Sequence, residues 1–485
     1  MKTSRFYLIY ILAGMLGFQA CHDKLDVSQK SAITANSMWE DEGDARAAVY
    51  GVYNKMRSTF ADAYIFWGEY RSGLWGPGLA TNATYSDPFT NQLNASHAHA
   101  NWQNLYTTIN DCNLILKYVP DISFVNEADK NQVLANALFV RAFCYYWIGR
   151  VWGDAPVLLN GFESGQQDDL YPSRDPADKV FAQVRIDLEA ANSLMPEGVT
   201  DRDMASKAAI NLLQADYYLW MAKVRGGGTE ALTLAKQAVD AVLGRSGYGL
   251  MSDFASVFSS ELNQEIVFAW SYVMDEFTGG YPADHLVPLQ YISTQYVENP
   301  IKVGSHQQWI FLTDAYKAFL SENEQDQRTK VSFETFFDAP KDATFQWINK
   351  YAGSWENQTR IFDADIVVYR YADALLMSAE IENALDNLPV AVERLNAIAE
   401  RAYGVENFYS PSLSPDQLDR AILNERKKEF VSEGKIWWDL IRFGVVFDEV
   451  ASLAGKENQA HILLWPVHNN SINSNPNIKQ TKGYN

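Results

Sequence analysis

The sequence predicts a mainly α-helical chain, a tetratricopeptide-like helical-repeat scaffold carrying a long irregular, loop-rich and aromatic-rich region. Three observations lead there. Apolar and small residues recur at three- and four-residue steps in several long stretches, a second amphipathic run follows each of these, and two segments rich in Gly, Asn, Pro and aromatics break the pattern.

The helices follow in chain order. Leu134, Leu138, Ala142, Tyr145 and Gly149 fall on one stripe, as do Ala208, Leu212, Ala215, Leu219 and Ala222, and later Ala372, Leu376 and Ala379. Small residues on facing stripes let neighbouring helices approach closely. The partner helices are predicted in "DPADKVFAQVRIDLEAANSLMP", "TEALTLAKQAVDAVL" and "LPVAVERLNAIAERAYG". Asp175 and Pro176 suit an N-cap and first turn, and Ser414, Pro415 and Gln417 form a capping-box pattern. The repeats are expected over about 44–246 and 363–445, with irregular ligand-side insertions over about 64–101 and 247–362. Structureless stretches of that length inside a compact domain are usually functional.

Composition narrows the function. A net charge of -20 repels phosphate backbones, and no basic run offsets it, so nucleic acid is not an expected partner. The 26 Tyr, 25 Phe and 14 Trp exceed what a plain helical core requires and point to exposed recognition rings. HExxH, G-x-S-x-G, a phosphate-binding glycine loop and a dinucleotide fingerprint are all missing from the sequence, and neither a cofactor nor a metal is expected. His97 and His99, two apart in "SHAHAN", lack a third ligand at metal-site spacing and read as polar loop residues.

The N-terminus addresses the chain outward. Lys2 and Arg5 precede an apolar run from Phe6 to Phe18, and small Ala20 stands before Cys21, the layout of a signal peptide over residues 1–20. A signal ending on cysteine resembles that of a bacterial lipoprotein, with Phe18 where such signals usually carry Leu, and makes Cys21 the expected lipidation site. Cys112 and Cys144 lie in helix-like stretches and read as buried structural thiols, with a disulfide between them the alternative outside the cell.

The stretch "NERKKEFVSEGKIWWDLIRFG" poses a physical problem. On a helix, Glu425, Glu429 and Glu433 stack on one face, and like charges repel there unless a metal or buried cations intervene.

Three C-terminal segments resemble signatures of one family. "YRYADALLMSAEIENAL", "ILNERKKEFVSEGKIWWDLIRFG" and "LLWPVHNNSINSNPNIKQTKGYN" are similar to those of SusD/RagB, the nutrient-binding outer-membrane lipoproteins of Bacteroidetes. "CHDKLDV", "DARAAVYGVYNKM", "NWQNLYTTINDCNLIL" and "ANALFVRAFCYYWIGRVWGDAPVLL" follow the family's order. Lys435 replaces the usual Arg, and "KQTKGY" stands for a QNPGY-like end. The resemblance implies one domain over residues 21–485, no enzymatic activity, a glycan ligand and a SusC-like TonB-dependent transporter as partner. It also implies that Glu425, Arg426, Glu429, Glu433, Asp439 and Arg442 form a structural ion-pair network locking two helices. A peptide-binding member and a secreted glycoside hydrolase are the alternatives.

Sugar rings offer apolar faces for aromatics and hydroxyls for Asn, Asp and Arg. The expected ligand residues are therefore Trp75, Tyr85, Phe89, Asn91 and Asn94 in the first irregular region, with Trp270, Tyr272 and Tyr281 in the second. Cys21→Ala is expected to abolish membrane association while export continues, as read by fractionation of cells labelled with a palmitate analogue; unchanged association excludes the anchor.

Overall fold

A computed structural model describes residues 38–165, 170–259, 263–276, 278–280 and 282–484. Cys21 with its signal, and Tyr281, lie outside the described residues.

Ten helices build the scaffold: α1 Glu42–Phe60, α2 Gln103–Tyr118, α3 Glu127–Trp152, α4 Ala177–Leu194, α5 Lys207–Val224, α6 Gly228–Leu243, α7 Tyr371–Ala384, α8 Leu388–Tyr403, α9 Pro415–Glu429 and α10 Ile436–Arg442. Neighbours in sequence pack as antiparallel pairs, α3 with α4, α5 with α6, and α7 with α8. Helix α7 also packs on α6, so the array resumes across the long insertion between them. The scaffold is thus tetratricopeptide-like and helical, as the periodicity predicts.

Helices α3, α5 and α7 depart from the stripes expected of them. Residues 208–220 of α5 and 372–383 of α7 are buried without a break, and every residue of α3 from 135 to 152 is buried, because α1, α2 and α4 surround it. Its Cys144 and the Cys112 of α2 are buried free thiols. Helix starts follow local chemistry. Ser414 and Gln417 cap α9 reciprocally. Pro176, rather than Asp175, takes the N-cap position of α4, and Asp154 from the end of α3 supplies the missing acceptor to the Ala177 N–H at 2.8 Å.

The insertion contains short paired strands. β1 Trp75–Pro77 pairs antiparallel with β3 Ile310–Leu312, and β4 Glu334–Asp338 with β5 Ala343–Trp347. β2 Ile266–Trp270 pairs with β6 Ile366–Arg370, and all ten of their residues are buried, as β-branched and aromatic runs without alternation require. A small separate core of Leu286, Val287, Ile292, Ile301, Val303, Phe345 and Trp347 supports the loops. The first irregular region is partly helical, with short helices Ala63–Gly68 and Ala83–Phe89. Tyr64, Ile65, Phe66 and Trp67 are core residues: Tyr64 meets the rings of Trp147 and Trp270 at 5.3 and 5.1 Å.

Helix α9 ends at Glu429, so Glu425 and Glu429 share its face while Glu433 lies in the turn beyond it, and all three acids meet buried cations. Arg370, fully buried, binds Glu265 at 2.7 Å, Glu429 at 2.5 Å and Glu433 at 2.9 Å. Arg328 binds Asp326, Glu425 and Glu429 at 2.8, 2.7 and 3.1 Å, and Arg401 binds Glu265 and Glu429. Lys350 holds Glu433 at 2.8 Å. Within the expected set only Asp439 pairs, with Arg426 at 2.8 Å and Arg442 at 3.0 Å; Arg442 also grips Glu380 of α7. The idea of two helices locked together is therefore too small. Most partners come from elsewhere in the chain, so the network ties α7, α8, α9, α10 and the insertion into one body.

The loop after α9 is sewn to the N-terminal half. Glu69 accepts the backbone N–H groups of Ser432 and Gly434, each at 2.7 Å. Burial pushes its carboxyl up to about 7 against the pull of those donors. Burial also works against ionisation of Glu380 and Glu433, yet Arg442 on the first, and Arg370 with Lys350 on the second, bring both down to about 2.

Two predictions follow from this network. Arg442→Ala strands Glu380 and Asp439 and is expected to cost about 3–5 kcal/mol, read from the urea midpoint; an unshifted midpoint contradicts the buried pairing. Glu380 and Glu433 bind protons more weakly folded than unfolded, so their stabilisation is complete above 4.5 and is lost as pH falls towards about 2. Glu69 acts with the opposite sign, losing its contribution as pH rises from 4.5 through about 7. The urea midpoint should therefore drop steeply between about pH 4.5 and about pH 2, and Glu380→Gln should flatten that drop.

Candidate functional site

Four of the residues expected to meet a ligand are core residues. Trp75 is 2% exposed, donates its indole N–H to Glu69 at 3.3 Å and lies against His285 and Tyr70. Trp270 stacks on Phe60 at 5.4 Å, and Tyr272 is buried beneath the Arg57 guanidinium. Asn91, at a left-handed φ of 55°, accepts from Arg71 Nε and donates to the Arg71 carbonyl and Ser452 hydroxyl. Trp75 and Trp270 lie on the paired strands β1 and β2 and pack into the core, while Asn91 fastens irregular backbone through its hydrogen bonds and Tyr272 packs under Arg57. The two histidines are packed likewise: His99 stacks on Phe66 at 3.8 Å, and His97 bonds the Thr84 carbonyl beside Trp465.

Tyr85, Phe89 and Asn94 stay at the surface. Tyr85 and Phe89 are half-buried on the short helix Ala83–Phe89, which opens on Asn82 accepting from the Thr84 N–H at 2.9 Å. Asn94 is exposed and donates to Asp87 at 2.9 Å. The Tyr85 hydroxyl donates to one oxygen of Asp284, and the other lies 3.5 Å from His306 Nδ1.

Three segments converge there. Beyond β1, the N–H groups of Gly78 and Ala80 donate to the carbonyls of Trp309 and Gln308, each at 3.2 Å. A Cβ at Gly78 would stand 2.3 Å from the Gln308 carbonyl, so only glycine permits this approach. Gln308 in turn donates to the His285 carbonyl at 3.0 Å, and His285, which burial pushes down to about 3 and so keeps neutral, bonds the Tyr70 hydroxyl. On this support Leu79, Leu289 and Tyr291 are exposed, and the Tyr291 hydroxyl donates to Gln307 at 3.2 Å.

Electrostatics fixes the polar roles. Burial and the neighbouring Asp284 raise the Tyr85 hydroxyl, which remains a neutral donor. Burial raises the Asp284 carboxyl, only partly offset by the Tyr85 hydroxyl and His306. Donor, acceptor and imidazole thus lie beside exposed apolar and aromatic surface, an arrangement able to hydrogen-bond hydroxyls and stack on a ring. Asp284, Tyr291, His306 and Gln307 had no motif to announce them; "PADHLVPLQYIS" hints only through its mixture of Pro, polar and aromatic residues.

Two family profiles match the chain, one described as the SusD family over residues 322–484 and one as starch-binding associating with outer membrane over residues 77–219. SusD-like protein P38 of Formosa agariphila is 24% identical, over 99% of this chain and 98% of its own. SusD-like protein P25 of the same organism is 24% identical, over 93% of this chain and 92% of its own. NanU of B. fragilis has the same fold with a TM-score of 0.81 at 24% identity, covering 95% of this chain and 100% of that one. A SusD superfamily protein of Bacteroides vulgatus gives 0.77 at 25% identity, covering 92% and 100%. The helical-repeat fold together with these two profiles defines a SusD-like protein. The chain belongs to the SusD/RagB family. Among the described residues no helix is long and apolar enough to cross a membrane.

Proposed function

We propose that this is a non-catalytic, cell-surface nutrient-binding lipoprotein. It captures an oligosaccharide or polysaccharide on the face around Tyr85 and passes it to a SusC-like TonB-dependent outer-membrane transporter. Residues 1–20 are removed in this reading, and Cys21 carries the lipid that holds the mature chain at the outer membrane.

The observation that carries the reading is the Tyr85–Asp284–His306 cluster set beside exposed Tyr291, Leu79 and Leu289. Polar groups of both hydrogen-bonding senses next to an aromatic ring suit a sugar, whose hydroxyls alternate with apolar C–H faces. Phe89, Asn94 and Gln307 extend the same surface. The family and the starch-binding description of one matching profile support a glycan over other cargo.

A glycan array with the purified protein selects the ligand, and calorimetric titration then tests the site. Tyr291→Ala is expected to weaken binding by about 0.5–2 kcal/mol at an unchanged melting temperature, and Tyr85→Ala by at least as much. Full affinity in both variants moves the site elsewhere. Release of reducing ends over time by the purified protein replaces the binding role with hydrolysis.

A further inference from the structure

A second cavity, of about 740 Å³, shares no residue with the loop-built face. Its walls are the first half of α2, the segment 156–162, Leu170 with Pro172, and residues 470–478. The volume lies within the range of small-molecule sites.

Side chains hold these walls in place. Asn110 clasps the Phe162 backbone in both senses, donating to its carbonyl at 3.2 Å and accepting its N–H at 2.6 Å. The Tyr106 hydroxyl donates to the Pro156 carbonyl at 2.8 Å, and Asn475 donates to the Pro172 carbonyl at 2.9 Å. The cavity is therefore preformed rather than assembled on binding. Its charges cancel, since Lys55 and Asp111, the charged residues of the lining, bind each other. Half-buried Tyr106, Phe162, Leu170 and Pro172 keep apolar surface open to it, and Tyr171, between the last two, is 57% exposed. Exposed Gln103, Thr107, Asn470 and Ser474 add amides and hydroxyls to the same lining. A charged ligand finds no free counter-charge there, and a wholly apolar one gains nothing from the amides. An uncharged sugar uses both kinds of surface, its C–H faces on the rings and its hydroxyls on the amides.

The cavity also adjoins the proposed face through the chain itself. Asn94 belongs to that face, and the next two residues hold Asn469: the Ala95 carbonyl accepts its N–H at 2.9 Å, and its side-chain amide donates to the Ser96 hydroxyl at 3.0 Å. Asn469 opens the short helix Asn469–Ser474, whose Asn470, Ser471 and Ser474 line the cavity. Asn94, Asn469 and Asn470 are all exposed, so hydrogen-bonding amides mark the way from one surface to the other. We infer that this cavity is an extension site, taking uncharged sugar residues of the same glycan once its chain is long enough to pass from the Tyr85 face over Asn94 and Asn469. That the occupant continues the glycan of the first face rests on the proposed function; the uncharged, part-apolar character of the occupant does not.

The test titrates the purified protein calorimetrically with maltose, cellobiose, laminaribiose and mannobiose and with the hexasaccharide of each series. In the series that binds, the hexasaccharide should bind at least about tenfold more tightly than the disaccharide. Asn470→Trp, which fills the cavity from an exposed position, should remove that advantage at an unchanged melting temperature. Phe162→Ala, where it folds, should reduce it several-fold, and Tyr291→Ala should weaken both lengths. Equal affinity for the two lengths, no hexasaccharide binding in any series, or an advantage retained in both cavity variants overturns the inference. Hexasaccharide binding that survives Tyr291→Ala and is lost in Asn470→Trp keeps the cavity as a site for uncharged sugars and removes the first face; the opposite pattern keeps the first face and removes the extension. Uncharged N-acetyltryptophanamide bound here, in a protein that takes no hexasaccharide, makes the cavity an apolar-ligand site instead.

Discussion

The buried guanidinium of Arg370 is the constraint on which the rest of the structure depends. It binds Glu265 from the insertion, Glu429 at the end of α9 and Glu433 in the loop after it, and it donates to the Glu429 carbonyl as well. Arg370 is also the last residue of β6 and the N-cap of α7. One side chain thus fixes where the irregular insertion ends and the helical array resumes. Ionised groups removed from water are costly, so such a network is stable only when complete. Arg328, Arg401 and Lys350 complete it, and the Tyr403 and Tyr409 hydroxyls fill the remaining acceptor positions on Glu425.

With that joint fixed, the insertion can be irregular without being loose. Its strands are two to five residues long and pair only two at a time. They are held by side chains: Gln308 to the His285 carbonyl, Tyr70 to His285, Arg360 to the Val303 carbonyl. This explains how a polar and aromatic face can be displayed on non-repetitive backbone and still be preorganised.

Sequence periodicity was enough to reveal the scaffold because helices are local, each written in consecutive turns, although α5 and α7 are buried on every side rather than along one stripe. The spacing of Glu425 and Glu429 called for a metal or buried cations for the same reason, whereas Glu433 lies past the helix end. It was silent on which ones, since Arg328, Arg370 and Arg401 carry no local mark that separates them from surface arginines. The aromatic residues were harder still. Trp75 and Tyr85 sit ten positions apart in equally glycine- and threonine-rich surroundings, and one is core while the other is surface. Only pairing across the chain, β1 with β3 and Tyr85 with Asp284, distinguishes them. The walls of the second cavity are likewise scattered from Lys55 to Ile478, and form no run that a reader of the sequence could find.

Gly68 and Gly434 meet where Glu69 clasps the loop after α9. A Cβ on Gly68 would stand 1.7 Å from the Gly434 carbonyl oxygen, and one on Gly434 would strike the Tyr64 ring at 2.7 Å. Backbone touches backbone here between residues far apart in the chain, and beside them the Glu69 side chain bonds the Gly434 N–H across 365 positions. The first helices and the last ones therefore cannot acquire their native packing independently. Separate profiles match the two parts of the chain, yet at this seam the two parts share one packed contact, and the acids around Arg370 lie directly behind it.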